Sequence, residues 1–369
     1  MIDRSLEGTI TKRLHQGKAI ILVGARQTGK TTLVRQVLGN QEHLFLNGDD
    51  PTVRTMLSGI NSEQLRRLLG EHRVVFLDEA QRISGIGITL KIITDQFPEV
   101  QLLVSGSSSF DMAHELNEPL TGRKWEYTLF PISWREFEDH VGYLHAEQQL
   151  ETRLLYGSYP EIVSSPGEER ERLQQLVGSY LYRDILAYAG IRKPEVLDRL
   201  LQALALQVGS EVNYNELAET TGLNKATVAN YIDILEKGYV VFRLNSFSRN
   251  LRNEIKRTRK IYFHDNGVRN AIVGSFQPLD LRPDKGPLWE NFLVSERLKR
   301  NMYRSTGARM YFWRTRQQQE IDYVEECNGR ISAYEFKWKP RGVKISSTFL
   351  SAYQAEGHII HRDNFRDFV

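Results

Sequence analysis

Short, fully apolar runs separate amphipathic segments in the first third of the chain. Residues 19–23, 74–77 and 102–104 are entirely apolar, which predicts strands buried on both faces of a parallel sheet. Between them, segments such as 32–38 repeat leucine and valine at helical spacing. Because strands alternate with helices, we predict a doubly wound α/β domain over residues 1–140.

The pattern changes twice further along the chain. Residues 141–208 show helical periodicity, and we interpret them as a helical lid or connector. Residues 209–263 hold two short helical segments, separated by Gly222 and followed by strands, which predicts a winged helix-turn-helix. Residues 264–369 hold a long helix and then strands, two of them joined across Asn328-Gly329, which is a hairpin signal.

Composition narrows the class of protein. The 369 residues suit two or three domains, and a net charge of +3 is too small to imply nucleic acid by itself. Cys327 is the single cysteine, so an intrachain disulfide is excluded and a reducing compartment is favoured. The first residues lack the apolar core of a signal peptide, and no apolar run reaches membrane-spanning length. We therefore expect a cytoplasmic protein without a membrane partner.

A Gly-x-x-x-x-Gly-Lys-Thr pattern stands between the first predicted strand and the next helix. This context favours a phosphate-binding loop over an ordinary glycine turn. Gly24 and Gly29 let the backbone wrap phosphates, Lys30 reaches the β- and γ-phosphates, and the Thr31 hydroxyl ligates Mg²⁺. The pattern predicts an ATP site formed by Gly24, Ala25, Arg26, Gln27, Thr28, Gly29, Lys30, Thr31 and Thr32.

Two further strand ends carry polar residues. The run 74–77 is followed by Asp78 and Glu79, which predicts a magnesium ligand and a general base for the attacking water. The alternative is a strand capped by solvated acids. After the run 102–104, Ser107 or Ser108 is placed to sense the γ-phosphate, and the sequence does not choose between them.

Five motifs together resemble a family of bacterial and archaeal AAA-type ATPases whose C-terminal half is a domain of unknown function. They are Gly-x-Arg-Gln-x-Gly-Lys-Thr-Thr, Phe-Leu-Asp-Glu-Ala-Gln, Ser-Gly-Ser-Ser, Leu-x-Gly-Arg and Leu-x-Pro-Ile-Ser-x-x-Glu-Phe. The resemblance runs roughly from Arg4 to Lys337. It aligns Arg123 with the arginine of the Leu-x-Gly-Arg motif. That arginine either stabilises charge on the γ-phosphate, in cis or from a neighbouring subunit of a homo-oligomer, or forms a structural salt bridge.

The predicted winged helix suggests DNA as a partner. Lys225, Thr227 and Asn230 lie on its second helix, where they would face the groove. Lysine and arginine are dense over residues 250–260, and Arg257 and Arg259 of this wing would meet phosphates. Many winged helices bind proteins instead, so a protein partner stays open.

The C-terminal strands resemble the core of PD-(D/E)XK nucleases. Strand alternation puts Glu335 and Lys337 on one face, and Asp322 can lie opposite on the paired strand. Two carboxylates would gather Mg²⁺ and the lysine would activate water. Glu290 matches the extra acid that such nucleases often carry. Ile321 stands where the motif name expects proline, and a solvated hairpin face or an inert binding module are the alternatives.

These features predict three folds in series: a P-loop AAA-type doubly wound domain, a winged helix and a restriction-nuclease-like α/β domain. The expected activity is Mg²⁺-dependent ATP hydrolysis coupled to DNA binding, with metal-dependent cleavage by the last domain left open. The alternative is a nucleotide-dependent switch that binds a protein partner and carries an inactive nuclease-like core.

Overall fold

The computed structural model describes residues 2–107, 119–178, 194–248, 258–315, 317–339, 342 and 344–369. The chain divides into two compact units. The first is Met1–Pro131 with Lys237–Tyr239, and the second is Ile132–Glu236 with Val240–Val369. Ser108, Arg257 and most of the basic segment 250–260 lie outside the described residues, so these predictions stay predictions.

The first unit contains a five-stranded sheet in the order β2-β3-β4-β1-β5, in which every pairing is parallel. The three central strands β3, β4 and β1 are buried along their whole length, which explains the apolar runs in the sequence. The parallel α/β arrangement predicted for this region is confirmed. Its strands are Ala19–Val23 (β1), Leu44–Asn47 (β2), Val74–Asp78 (β3), Gln101–Gly106 (β4) and Lys124–Thr128 (β5).

Amphipathic helices cover this sheet. Helix α4 begins at a capping box formed by Asn61 and Gln64, and it buries Leu65 and Leu69 in the same core as Val75 of β3. Helix α2 starts directly after the loop that follows β1, so its first N–H groups face that loop. The helices are Glu7–Arg13 (α1), Lys30–Leu38 (α2), Pro51–Leu57 (α3), Ser62–Leu69 (α4) and Ile86–Gln96 (α5), with a 3₁₀ turn at Ala80–Arg82.

The second unit is organised on a seven-stranded mixed sheet in the order β12-β11-β10-β9-β7-β8-β6. Strands β7 and β8 form an antiparallel pair, and β7 also pairs with β9 in parallel. The predicted ranges 209–263 and 264–369 therefore share one sheet, and the boundary between them stays a prediction. The strands are Glu211–Val212 (β6), Val241–Ser246 (β7), Arg259–Phe263 (β8), Arg309–Arg314 (β9), Glu320–Cys327 (β10), Arg330–Phe336 (β11) and Glu356–Ile360 (β12).

Along the chain, helices come before the first strand of this sheet and between several of its later strands. The pair α11 and α12 is joined through Gly222, whose φ of +71° lies in the left-handed region that glycine adopts without strain. None of the helices in the described ranges is long and apolar enough to cross a membrane. Those helices are Trp134–Val141 (α6), Tyr143–Tyr156 (α7), Pro160–Val163 (α8), Glu169–Leu176 (α9), Pro194–Leu206 (α10), Tyr214–Thr221 (α11), Lys225–Lys237 (α12), Asn266–Val273 (α13), Lys285–Tyr303 (α14) and Ser347–Tyr353 (α15).

Candidate functional site

The loop after β1 has the backbone geometry of an anion cradle. Gly24 has a φ of +147°, and a Cβ there would lie 2.2 Å from the carbonyl oxygen of Leu129, so no side chain fits. Gly29 has a φ of +93° and caps the start of α2. Between them Gln27 also takes a positive φ, and Arg26 lies beside it on the loop. Successive backbone N–H groups in a turn of this kind form a concave site that suits an anion of phosphate size.

Lys30 is folded into this loop. Its ammonium donates hydrogen bonds to the carbonyl oxygens of Gly24, at 3.0 Å, and Ala25, at 2.7 Å, and only 6% of the residue is exposed. Burial lowers the pKa of Lys30 to about 8, although the carboxylates of Glu79 and Asp78 act in the opposite direction. An anion bound in the loop would supply the negative charge that this lysine lacks.

A hydroxyl and a carboxylate meet at the start of α2. The Thr31 hydroxyl donates to the Asp78 carboxylate at 2.8 Å, and the Ser105 hydroxyl donates to the other oxygen of Asp78. Hard oxygen atoms of this kind are the ligands that Mg²⁺ prefers, so the residues present fit that ion. Thr32 is exposed on the first turn of the helix. Ser105 was not predicted, although its place near the end of β4 is a usable signal.

Glu79 is held next to this pair by two side chains. Gln81 donates its amide to the Glu79 carboxylate at 2.5 Å and to the Ser107 hydroxyl at 2.7 Å, and Ser107 donates to Glu79 at 3.2 Å. Glu79 itself has a φ of +50°, an unusual backbone conformation for a residue with a side chain. Ser107 was predicted to lie here and Gln81 was not, although it ends the Asp-Glu-Ala-Gln motif.

The predicted phosphate loop also has an unpredicted support. The Arg4 guanidinium donates to the carbonyl oxygens of Thr28 and Phe130, both at 2.7 Å, and the residue is buried. Arg4 ties the loop to the segment that follows β5. The partners are 24 and 126 residues away in the chain, so no local pattern could have identified them.

Arg123 lies at the end of the sheet where the strands begin, away from the phosphate loop. It precedes β5, which runs parallel to β1 from Ala19 opposite Lys124 to Val23 opposite Thr128. The five residues of β1, roughly 16 Å of strand, therefore separate its level from the start of the phosphate loop. Its Nε donates to Asp95 at 2.5 Å. The structure does not bring Arg123 to the phosphate loop of its own chain, which leaves the role in trans and the salt bridge.

In the second unit, three predicted residues come together on β10 and β11. The register pairs Tyr323 with Tyr334, and its continuation sets Asp322 opposite Glu335. The Phe336 N–H donates to Asp322 at 2.8 Å. The Lys337 ammonium lies 3.4 Å from the Glu335 carboxylate and 3.9 Å from that of Asp322.

The environment of Glu335 weakens it as an acid. Burial and the neighbouring Asp322 carboxylate raise its pKa to about 7, and Lys337 only partly opposes this. Over the residues the structure describes, no three His, Cys, Asp or Glu side chains are arranged to hold a metal ion. Asp322 and Glu335 alone would offer a divalent ion two carboxylates, and water would have to complete its shell.

Glu290, on α14, does not face open solvent. It accepts hydrogen bonds from Tyr262, at 2.6 Å, and from Lys260, at 3.0 Å, both on β8. Burial raises the pKa of Glu290 to about 7 even though Lys260 lowers it. Lys260 also contacts Glu320 of β10 at 2.6 Å. Tyr262 and Glu320 were not predicted, and Lys260 was predicted only as part of the basic segment 250–260. Strand alternation from Asp322 would have indicated Glu320.

The predicted DNA-facing residues lie on α12 and β8. Lys225 and Asn230 are exposed, whereas the Thr227 hydroxyl bonds the Asn224 side chain that caps the helix, at 3.0 Å. The Arg259 guanidinium lies 5.9 Å from the centre of the Tyr214 ring. Lys225, Tyr214 and Arg259 line a cleft of about 400 Å³.

Known proteins match the chain in three segments. The model of an AAA domain matches residues 16–138, and two domains of unknown function, DUF8612 and DUF4143, match residues 147–279 and 285–367. An uncharacterized protein of Mycobacterium tuberculosis is 28% identical over 339 residues, which are 90% of this chain and 73% of that protein. An uncharacterized protein of Methanocaldococcus jannaschii is 21% identical over 347 residues, 88% of this chain and 75% of its own.

A solved structure shares the fold. A Walker-type ATPase of Pyrococcus abyssi superposes with a TM-score of 0.51 at 18% identity, covering 74% of this chain and 96% of that one. Together with the AAA match over residues 16–138, this shared fold supports an AAA-type P-loop domain in the first unit. The C-terminal match is to a domain of unknown function, and the relationship to nucleases stays a prediction.

Proposed function

We propose that the first unit binds ATP with Mg²⁺ and hydrolyses it. One observation carries this proposal. The Lys30 side chain is buried inside the loop, directly beside the Thr31–Asp78 pair, and the loop is packed so closely that position 24 has room only for glycine. A buried ammonium bonded only to carbonyl dipoles is a poor arrangement unless an anion joins it.

The residues divide the reaction between them. The loop amides and Lys30 bind the β- and γ-phosphates, and Thr31 with Asp78 would hold the magnesium ion. That ion, when bound, neutralises charge on the phosphates. Glu79 takes the proton of the attacking water, and Gln81 with Ser107 fix the direction in which its carboxylate points.

Replacing the base tests this assignment. Glu79→Gln should bind ATP with nearly unchanged affinity and lose turnover by about 100-fold or more, because the amide cannot accept the proton. Glu63→Gln is the matched control, since Glu63 is an exposed acid of the same unit. Unchanged phosphate release by Glu79→Gln would show that another group activates the water.

We propose further that the second unit engages DNA. Lys225 and Arg259, which both line the Tyr214 cleft, support this, because phosphate neutralisation dominates such binding. Arg259→Glu should weaken binding of duplex DNA and lower the slope of log affinity against log salt by about one. Arg135→Glu, which changes an exposed arginine of α6, is the control. An unaltered slope would remove this strand from the interface and favour the protein-partner alternative.

A metal-dependent phosphodiesterase activity is a second candidate for the same unit. The gathering of Asp322, Glu335 and Lys337 within 3.9 Å favours it. The protein should nick plasmid DNA in Mg²⁺ or Mn²⁺ but not in EDTA, and Asp322→Ala or Glu335→Ala should abolish this. Glu356→Ala, an exposed acid on β12, should not.

The alternative function, a nucleotide-dependent switch, predicts that DNA is not cut. If the protein is a nucleotide-dependent switch with an inert core, it should retain a specific protein partner in an ATP-dependent manner and never cut DNA in either metal. Nicking that persists in Asp322→Ala would come from a contaminant and would not support either function.

A further inference from the structure

Lys260, from the predicted wing, lies among the acids of the second unit. We call Glu290, Glu320, Asp322 and Glu335 the acidic cluster. The Lys260 ammonium is 3.0 Å from a Glu290 oxygen and 2.6 Å from a Glu320 oxygen, and 1% of its side chain is exposed. The three residues come from β8, α14 and β10, which are distant in the sequence. A contact of this kind forms only in the folded chain.

The surrounding carboxylates favour the charged form of this ammonium. Burial acts to lower the pKa of Lys260, but the carboxylates of Glu290, Glu320 and Asp322 together raise it above its ordinary value. Tyr262 donates to the same Glu290 oxygen that accepts from Lys260. Glu290 thus receives two donors on one oxygen.

The ammonium bridges two carboxylates. Oxygen atoms of Glu290 and Glu320 lie 3.0 and 2.6 Å from the one cation, so it supplies the positive charge between them. The second oxygen of Glu320 faces Arg314 at 3.6 Å. Glu290 and Glu320 therefore already have a cation beside them. Asp322 and Glu335 face Lys337 instead, whose side chain is far more exposed than that of Lys260.

The lysine is also fixed in place. Its residue pairs with Leu244 of β7 on one side and with Glu211 of β6 on the other. A strand held by ladders on both edges does not swing away without breaking them. Lys260 is consequently a constant part of the cluster in the folded protein.

We propose that Lys260 is a positioning residue that acts as a tethered cation: it occupies the Glu290–Glu320 side of the cluster and restricts divalent metal to the Asp322–Glu335 side. The inference rests on the metal site proposed for Asp322 and Glu335. It assigns Glu290 to holding Lys260 and not to holding metal.

Counting bound Mn²⁺ tests this. Free Mn²⁺ is followed by its electron paramagnetic resonance signal in the full-length protein, without nucleotide, at about pH 8, where ordinary carboxyls are ionised. The variant Asp322→Ala/Glu335→Ala gives the background from other sites. Above that background, wild type should bind one Mn²⁺, and Lys260→Met should bind a second ion, because the freed carboxylates then lack a cation.

Two variants separate this effect from simple disruption. Lys260→Met/Glu290→Gln/Glu320→Gln removes both charges that the lysine satisfies, and should return to one ion. Lys299→Met also removes a buried lysine, one that pairs with Glu296 at 2.6 Å, and should gain no ion because a single carboxylate is left. An equal count in folded Lys260→Met and wild type overturns the inference.

The remaining outcomes are also decisive. If Lys260→Met is unfolded, Mn²⁺ should refold it in a concentration-dependent way, because the ion binds only the native cluster. Failure to refold at any Mn²⁺ concentration overturns the inference. If wild type binds no Mn²⁺ above background but Lys260→Met does, the proposed metal site fails while the tethered cation stands.

Discussion

The phosphate loop of the first unit and the acidic cluster of the second unit both contain a deeply buried lysine, yet the two lysines are in opposite electrostatic states. Among the described residues, Lys30 bonds to the carbonyl oxygens of Gly24 and Ala25, and burial lowers its pKa to about 8. Lys260 touches two carboxylates, which raise its pKa above the ordinary value despite similar burial. Direct carboxylate contact, and not burial, decides the difference.

This difference separates a site that awaits a ligand from one that is already balanced. Lys30 has a charge that nothing in direct contact neutralises, so an incoming phosphate gains both the hydrogen bonds and the relief of a desolvated ammonium. Lys260 has no such deficit. An anion should therefore bind strongly at the first lysine and not at the second.

The largest expected effect comes from removing the lysine that awaits its ligand. Lys30→Ala should abolish measurable ATP binding, a loss of more than about 100-fold, because charge-assisted bonds to two phosphates disappear. Equilibrium dialysis or calorimetry measures it, and Lys91→Ala, at an exposed position of α5, is the control. Near-normal affinity in Lys30→Ala would mean that the loop amides alone bind the nucleotide and would break the contrast drawn above.

The second prediction asks whether the first site is complete within one chain, as the cluster of the second unit is. Arg123 pairs with Asp95 at the end of the strands away from the phosphate loop, so a catalytic role requires another copy. Acting in this way, Arg123→Ala should lower turnover by about 1,000-fold with ATP affinity nearly intact.

Mixing variants distinguishes this from a structural salt bridge. Arg123→Ala mixed with Lys30→Ala should recover part of the turnover, since one subunit then contributes the loop and the other the arginine. If no mixing ratio recovers activity, Arg123 is confined to its pair with Asp95.

The two sites also differ in how far the sequence could predict them. In the first unit, the polar residues follow apolar strands that are neighbours in a parallel sheet, so Asp78, Glu79 and Ser107 were predicted from strand ends alone. The unpredicted residue Arg4 reaches the loop across 24 residues of chain. Local patterns carry no information on such a contact.

In the second unit, the same limit applies more strongly. Strand alternation predicted that Asp322, Glu335 and Lys337 share a face, because all three lie on one hairpin. Lys260 was counted with the basic residues of the predicted wing, and no partner within the chain was predicted for it. Its burial depends on the pairing of β7 with β9, a long-range register that no local periodicity specifies.

The third prediction concerns the exposed lysine of the cluster. Lys337→Ala should keep Mn²⁺ binding at Asp322 and Glu335 and slow plasmid nicking by about 100-fold, because the lysine acts on water and not on the metal. Mn²⁺ binding and nicking are measured on the same preparation, with Lys339→Ala as the nearby control. Loss of metal along with rate would assign Lys337 to holding the carboxylates in place.

The smallest expected effect is a proton taken up when ATP binds. The folded-state pKa of Lys30, about 8, lies below its ordinary value of 10.5. Between these pH values Lys30 is therefore largely neutral in the protein without nucleotide. A neutral amine costs less to bury than the ammonium that is present at lower pH. Bound phosphates should raise this pKa again, so at about pH 9 binding should take up somewhat less than one proton. Calorimetry in two buffers of different ionisation enthalpy measures the uptake, and Lys30→Arg, which stays charged, should show none if it binds. Equal apparent enthalpies for wild type in both buffers would mean that Lys30 is already protonated in the free loop, and that the electrostatic difference between the two lysines is smaller than their contacts indicate.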